Sequence, residues 1–274
     1  MSETQFFELF LQELRENSIL RGYYHLLDSS WAFGFRKTYF LQRLAFLARH
    51  VPRDPTLRVW DCGCGFGTQG IFLSLNGVSC RGSTLDYFIG HIPPRLAYWA
   101  RHGDVSRFRF RHENLFDLPI EPAATDIVLA ADTLHHLEPI DEALDRIARA
   151  LRPGGKLLVF EENGNNLLQC LMLYRLRGNQ RVVDRWDDGL QKFVRFGHEN
   201  IRPLWRWERL LARHGLIIDK ASVEYIRMFL PPFYLLFSAD RLRRWENVLR
   251  RLALFRELLF FGVNFAARRR ASVP

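Results

Sequence analysis

Three glycines alternate with other residues directly behind an acid, in the run Asp61-Cys62-Gly63-Cys64-Gly65-Phe66-Gly67-Thr68. Apolar residues precede the acid and a short apolar stretch follows at residues 71–75, so the pattern predicts a strand, a tight turn and a helix start. Glycine has no Cβ, so such a turn can take positive φ and bring its backbone close to a ligand lying across the strand end. The run predicts a cofactor-binding loop.

The spacing of the glycines distinguishes two kinds of cofactor. Dinucleotide loops use G-x-G-x-x-G or G-x-G-x-x-A, whereas here Thr68 stands in the place of the third small residue. The Asp61 carboxylate would repel a diphosphate and attract an ammonium group. A cationic amino-acid ligand is therefore favoured over NAD, and a nicotinamide-dependent oxidoreductase is kept as an alternative.

The elements behind the loop predict a parallel sheet. Residues 78–85 indicate a second strand that ends at Asp86, and the period-two alternation of residues 108–112 indicates a third. Residues 126–132 form an apolar run typical of a buried fourth strand. A fifth strand is predicted over residues 157–160, after a Pro-Gly-Gly turn, and it ends at Glu161. The carboxyl ends of parallel strands meet at one sheet edge, where α/β proteins bind ligands.

With these elements in this order, residues 57–162 resemble the class I S-adenosylmethionine-dependent methyltransferases. The resemblance rests on Asp61-x-Gly63-x-Gly65-x-Gly67, on the acid after the second strand, and on Thr133-Leu134-His135-His136 followed by Arg152-Pro153-Gly154-Gly155. It implies an α/β fold with a Rossmann-like, seven-stranded, mostly parallel sheet, an antiparallel last strand and helices on both faces. The sixth strand is predicted over residues 216–226 and the last over residues 261–267.

The resemblance also implies how S-adenosylmethionine is held. The glycine loop would lie against its methionine moiety, Asp86 would accept the ribose hydroxyls, and Asn114 would bind the adenine amine, with Asp117 as a competitor. Asp86 could instead cap the helix that follows it, and Tyr87 could pack on the adenine or line the core. The predicted cofactor-binding residues are Asp61, Gly63, Cys64, Gly65, Gly67, Thr68, Asp86, Tyr87, Asn114, Leu115, Ala131 and Asp132.

The expected reaction is in-line displacement of the methyl group by a nucleophile of the acceptor. A hydroxyl acceptor must also lose a proton, and histidine titrates near neutrality. His135 or His136, at the end of the fourth strand, is the predicted base, and Glu161 is the second candidate. A structural role for at least one of the two histidines is the alternative.

Four regions are predicted along the chain: a helical N-terminal cover (residues 1–50), the cofactor-binding core (51–162), a substrate lid (163–202) and a part that completes the sheet (203–274). Aromatic residues crowd the cover, and they could line the substrate site or pad the sheet. His198 and Glu199 could orient a base or mark the entry of a surface helix. The candidate substrate-contacting residues are Tyr24, Trp31, Arg36, His198 and Glu199.

The net charge of +9 is concentrated near the C-terminus, where residues 241–270 hold nine arginines and two glutamates. Leu242, Trp245, Leu249, Leu252 and Leu259 share one helical face within a predicted insert at about residues 229–257. Such a basic amphipathic helix can bind an anionic membrane surface or phosphorylated substrates, or it can cap the domain. Nucleic acid is disfavoured as a partner, because the run Leu230-Pro231-Pro232-Phe233 does not follow the fourth strand as in base-amine methyltransferases.

Cysteine spacing and the lengths of apolar runs restrict the classes of protein to which the chain can belong. The four cysteines form no C-x-x-C pair and have no histidines at zinc spacing, so neither a disulfide framework nor a metal site is predicted. A polar, acidic N-terminus and the lack of long apolar runs predict a cytoplasmic protein, peripheral at the membrane if the basic helix binds lipid. The sequence predicts a small-molecule O-methyltransferase acting on a sugar or lipid-linked acceptor. An RNA methyltransferase and a non-catalytic S-adenosylmethionine-binding regulatory module are the alternatives.

Overall fold

A computed structural model describes residues 1–271 of the chain, whose centre is an eight-stranded sheet. The order is β3-β2-β1-β4-β5-β10-β8, with β9 also paired to β10. Strands β1 to β5 are parallel and β10 is antiparallel to its neighbours, as predicted. The strands are β1 (Val59–Cys62), β2 (Cys80–Thr84), β3 (Phe108–His112), β4 (Thr125–Ala131), β5 (Leu151–Glu162), β6 (Val182–Asp187), β7 (Lys192–Gly197), β8 (Leu216–Ile218), β9 (Glu224–Ile226) and β10 (Gly262–Arg269).

Helices cover both faces of this sheet, and most of them bury apolar residues in one of two core clusters. They are α1 (Glu3–Glu16), α2 (Ser18–Tyr24), α3 (Ser30–His50), α4 (Thr68–Leu75), α5 (Asp86–Ile89), α6 (Ile92–Trp99), α7 (Ile140–Ala150), α8 (Leu167–Arg177), α9 (Leu204–Arg213), α10 (Phe233–Leu236), α11 (Ala239–Leu249) and α12 (Ala253–Leu259). Within residues 1–271, none of the helices has the length and hydropathy required to span a bilayer.

Two sequence predictions about elements were wrong in detail. The sixth strand is split into β8 and β9 by a turn at Lys220–Ser222, where the Asp219 side chain accepts a hydrogen bond from the Ala221 amide (3.1 Å). The Ser222 hydroxyl accepts from the Ala266 amide (2.8 Å), so the turn is fixed to β10 and the sheet gains a strand. The insert at residues 229–257 is three short helices, because Ser238 caps a new helix, α11.

The N-terminal helices are joined to the glycine loop through a buried ion pair. Arg95 of α6 donates two hydrogen bonds to Glu13 of α1 (2.7 and 2.8 Å), and both side chains are almost fully buried. Arg95 also donates to the Phe66 carbonyl and to the Thr68 hydroxyl, each at 2.7 Å. The α1 helix is therefore linked through Arg95 to the turn that follows β1.

The β6–β7 hairpin is attached to the carboxyl ends of β2 and β3. The Asp187 carboxylate lies 2.9 Å from His112 Nε2 and accepts a hydrogen bond from the Asp86 amide (3.1 Å). Lys192 pairs with Asp117. These contacts hold the hairpin, which belongs to the predicted lid, at the ligand-binding edge of the sheet.

Candidate active site

A cavity of about 680 Å³ lies at the carboxyl ends of the parallel strands, a size within the range of small-molecule and cofactor sites. One wall is the glycine loop between β1 and α4. The N-terminal cover contributes Tyr23, Tyr39 and Arg43, and the lid contributes Leu176 and residues 196–199. Arg227 adds a side chain from the fourth region, so the cavity lies where all four predicted regions meet.

The glycine loop has the backbone that its sequence predicts. Gly63, Gly65 and Gly67 all have positive φ, at 75°, 51° and 76°. A Cβ on Gly63 would lie 2.4 Å from Thr133 Cγ2, so this position tolerates no side chain. A Cβ on Gly65 would meet only the Phe88 ring, at 4.0 Å, among the described residues. The loop therefore packs tightly on one side and leaves space on the cavity side.

Asp61 is the penultimate residue of β1, beneath this loop, and is fully buried. Neither of its carboxylate oxygens has a hydrogen-bond partner among residues 1–271, and burial raises the pKa of the carboxyl to about 7. A buried carboxylate without a partner is costly unless a cation or donor is supplied. The ammonium group of an aminoacyl cofactor has the chemistry that this position lacks, so the residues present fit S-adenosylmethionine.

Replacing Asp61 by Asn is expected to have opposite effects on stability and on cofactor binding. The pKa of Asp61 is about 7 in the folded protein and 3.8 ordinarily, so this carboxyl lowers the free energy of unfolding as pH rises from 3.8 through about 7. The variant should therefore be about 1–3 kcal/mol more stable than the wild type at pH 8, in chemical denaturation. S-adenosylmethionine affinity, measured by calorimetry, should fall about tenfold or more because an ionic partner is lost. A variant that is less stable at pH 8 with unchanged affinity would contradict this role.

Eight of the twelve predicted cofactor-binding residues line the cavity: Gly63, Cys64, Gly65, Thr68, Asn114, Leu115, Ala131 and Asp132. Asp61 lies beneath the loop, and Gly67 ends the loop as the N-cap of α4. Among the described residues, Asp86 and Tyr87 do not line the cavity. Because β2 ends at Thr84, that residue and Leu85 face the cavity, whereas Asp86 begins α5 and contacts the lid hairpin. Tyr87 is 64% exposed. The geometry does not support the predicted ribose contact of Asp86.

A group of charged side chains in the cavity wall was not found from the sequence. Arg43 of α3 forms two hydrogen bonds to the Asp132 carboxylate, one of them at 2.6 Å, and burial lowers the pKa of this arginine to about 9. Arg227 pairs with Glu162 at 2.7 Å. The Tyr39 hydroxyl lies within hydrogen-bond reach of both carboxylates, at 3.2 Å from Glu162 and 3.4 Å from Asp132. Two ion pairs therefore fix the end of β4 to α3 and the end of β5 to the segment after β9.

The two predicted histidines have different environments. His135 is buried and outside the cavity lining, with Nδ1 2.7 Å from a Glu161 carboxylate oxygen. His136 lines the cavity, and its Nδ1 lies 3.0 Å from the Gly197 carbonyl oxygen. Glu199 lies between the two rings, 3.6 Å from His135 Nε2 and 3.8 Å from His136 Nε2. His135 and Glu161 therefore stand behind the cavity, and His136 and Glu199 face it.

The His135–Glu161 pair should make stability depend on alkaline pH. Burial alone would lower the pKa of His135, but the Glu161 carboxylate outweighs burial and raises this pKa to about 9. Because the folded pKa exceeds the unfolded value of 6.5, the contribution is complete below pH 6.5 and is lost as pH rises through about 9. Between these limits the free energy of unfolding should fall by about 3 kcal/mol more in the wild type than in Glu161→Gln. Denaturation across this pH range measures the difference, and equal slopes would contradict the pairing.

Four of the five candidate substrate residues line the cavity: Tyr24, Arg36, His198 and Glu199. Trp31, in the first turn of α3, is 49% exposed and does not line the described cavity. Tyr24 bonds the Thr68 hydroxyl (2.6 Å), so it also fixes the cover to the start of α4. Within the lid, the backbone of Glu199 has a positive φ of 54°, which is unusual for a residue other than glycine.

Comparison with known proteins relates the core to one enzyme family. Residues 60–159 match the model of a methyltransferase domain. The chain is 30% identical to 27-O-demethylrifamycin SV methyltransferase of Amycolatopsis mediterranei over 52% of this chain and 57% of that protein. It is 24% identical to a sterol 24-C-methyltransferase of Gibberella zeae over 56% and 44%. Overall, the chain spans about half the length of the curated relatives it matches. A geranyl diphosphate methyltransferase in complex with S-adenosylmethionine has the same fold, with a TM-score of 0.58, 17% identity, and coverage of 87% of this chain and 90% of that one.

Proposed function

Because the chain carries a methyltransferase domain of the class I S-adenosylmethionine-dependent superfamily, we propose that it methylates a hydroxyl group of a small-molecule acceptor, a sugar or a lipid-linked intermediate. The choice of a hydroxyl acceptor rests on the pair His136 and Glu199 in the cavity wall. A sulfonium donor is already activated, whereas a neutral hydroxyl still needs a base. The name of the rifamycin relative also specifies methylation at oxygen.

The tautomer of His136 suits this role. Its Nδ1 faces a backbone carbonyl, which can only accept, so the neutral ring carries its proton on Nδ1 and leaves Nε2 free to take one. Burial and the neighbouring charge of His135 lower the pKa of His136, which keeps the ring neutral at pH 7. The Glu199 carboxylate can then stabilise the imidazolium that forms.

When bound, S-adenosylmethionine supplies the electrophilic methyl group. The chain's own residues hold and enclose the reactants: the glycine loop and Asp61 are placed for the aminoacyl end, and Thr84 and Asn114 lie at the next two strand ends. With the donor bound, His136 Nε2 would take the hydroxyl proton as the acceptor oxygen accepts the methyl group, and the electron pair of the broken bond would stay with the departing sulfur. The cover and the lid contribute side chains to the cavity wall, so bound reactants would displace water from the cavity and strengthen the electrostatic interactions within it.

A transfer assay with separate acceptor pools tests this proposal. The protein is incubated with radiolabelled methyl donor and with sugar, lipid or RNA fractions, and the label in each fraction is counted. Label in the sugar or lipid fraction, released by a reagent that cleaves methyl ethers, is expected. Label in RNA alone would overturn the choice of acceptor. Donor binding in calorimetry without turnover on any fraction would instead favour a regulatory module.

A further inference from the structure

The α8 helix is apolar and yet unpacked. None of its eleven described residues is buried, although leucine, methionine and cysteine make up most of the helix. Leu167, Met172 and Leu176 are 70%, 60% and 71% exposed. An apolar helix without a partner in its own domain indicates an interaction surface.

A second exposed apolar segment adjoins α8. Helices α10 and α12 also contain no buried residue within the described chain, and Leu235, Leu236 and Leu254 are among their most exposed side chains. Asn165 and Asn166, just before α8, donate hydrogen bonds to the Glu257 carboxylate (3.2 Å) and to the Leu259 carbonyl (3.0 Å) of α12. The start of α8 therefore adjoins the end of α12, which follows α10 and α11 in the chain. We refer to the exposed faces of α8 and α10–α12 together as the apolar surface.

The segments that form this surface are rich in positive charge. Residues 163–181 and 229–260 contain nine arginines against three acids, Asp240, Glu246 and Glu257. Glu246 is fully buried and accepts the Met228 amide (2.8 Å), and Glu257 accepts the Tyr225 hydroxyl (2.8 Å). Asp240 extends into solvent and pairs with Arg243, whose guanidinium is also exposed (3.1 Å).

We propose that the apolar surface docks on an anionic lipid bilayer. Exposed leucine, methionine and aromatic side chains can enter the boundary between headgroups and acyl chains, while arginines contact lipid phosphates. A second copy is a poorer occupant, because a twofold interface would bring the same arginines of both copies together. Soluble nucleic acid would satisfy the arginines but would leave the leucines in water.

The cavity reaches this surface at two points. Leu176 of α8 lines the cavity while it is exposed to solvent. The cavity-lining Phe35 ring packs against Tyr234 of α10, with ring centroids 6.0 Å apart. Docking would therefore place the cavity next to the bilayer. This step rests on the proposed function and narrows its acceptor to a membrane-held lipid.

Vesicle sedimentation of the full chain tests the docking independently of methyl transfer. We expect binding to vesicles of mixed phosphatidylcholine and phosphatidylglycerol, little binding to phosphatidylcholine alone, and release at high ionic strength. The double variant Leu235→Ser/Leu236→Ser should bind at least about tenfold more weakly. Arg243→Gln/Arg244→Gln should also weaken binding, by about fivefold for each arginine. The matched control Trp205→Ser/Ile217→Ser, which alters exposed apolar residues on α9 and β8, should bind as the wild type does.

Failure of the docking can be separated from failure of the proposed function. A chain that binds S-adenosylmethionine in calorimetry but does not sediment with phosphatidylglycerol vesicles overturns the docking. So does equal loss of binding in the control variant, or a dimer in analytical ultracentrifugation that the Leu235 and Leu236 substitutions dissociate. Vesicle binding without methyl transfer to any acceptor would leave the docking intact and contradict the function.

Discussion

Gly65→Ala is expected to weaken S-adenosylmethionine binding by about 10- to 100-fold, measured by calorimetry. The effect follows from the direction of the missing side chain. Gly65 lines the cavity, and an added methyl group would enter space that borders the Phe88 ring without displacing any described atom within 4 Å. It would therefore compete with the ligand for space. The backbone at φ 51° adds conformational strain.

Gly77→Ala separates this steric effect from backbone strain. Gly77 has a φ of 81°, a Cβ there would meet nothing within 4 Å among the described residues, and it does not line the described cavity. Both variants should lose a similar stability, about 1–2 kcal/mol, from the positive φ. The Gly77 variant should bind S-adenosylmethionine as the wild type does. Equal affinities for the two variants would contradict the placement of the cofactor against the loop.

His136→Gln is expected to lower kcat by about 10²- to 10⁴-fold with cofactor affinity unchanged, because it removes the proposed base and leaves the glycine loop intact. Glu199→Gln should lower kcat in the same direction by removing the charge that stabilises the imidazolium. Since the pKa of His136 is lowered, wild-type kcat should be constant at neutral pH and should fall only below about pH 6.5. Single-turnover measurements across this pH range test both statements.

His102→Gln is the matched control for the histidine substitution. His102 is exposed after α6, outside the described cavity lining, so its replacement should leave both kcat and the pH profile unchanged. Full activity of His136→Gln would show that another group takes the proton. A wild-type profile whose acid limb lies above pH 7 would contradict the environment of His136.

Strand periodicity and glycine spacing were sufficient to predict the core of the sheet and the glycine loop from the sequence. The positive φ values of the loop and the parallel strands follow from local pattern. Asn114 and Asp132, which line the cavity, were implied by the family resemblance. Asp86 was misplaced because successive side chains near a strand end point in different directions. A strand that ends at Thr84 rather than Leu85 thus places a hydroxyl, not a carboxylate, in the cavity.

Contacts between distant segments could not be predicted from one sequence. Arg43 meets Asp132 across 89 residues, and the helix that carries Arg43 has no local signal for a charged partner. The split of residues 216–226 depends on Ser222 contacting β10, 44 residues away. The sequence predicts a lid over residues 163–202 without indicating the α8 helix, because the weakly amphipathic sequence of α8 gives little helical periodicity.

The link from Glu13 through Arg95 to Phe66 and Thr68 means that residues 60–159 are not a module that can be detached from the preceding helices. Without α1, the Arg95 guanidinium would remain in the interior as a single unbalanced charge, at a cost of about 3–5 kcal/mol. The same arginine supports the turn that faces the cofactor. A chain shortened to begin after residue 50 should therefore lose cofactor affinity together with stability. The deleted partner of the ion pair, Glu13, lies outside the matched domain.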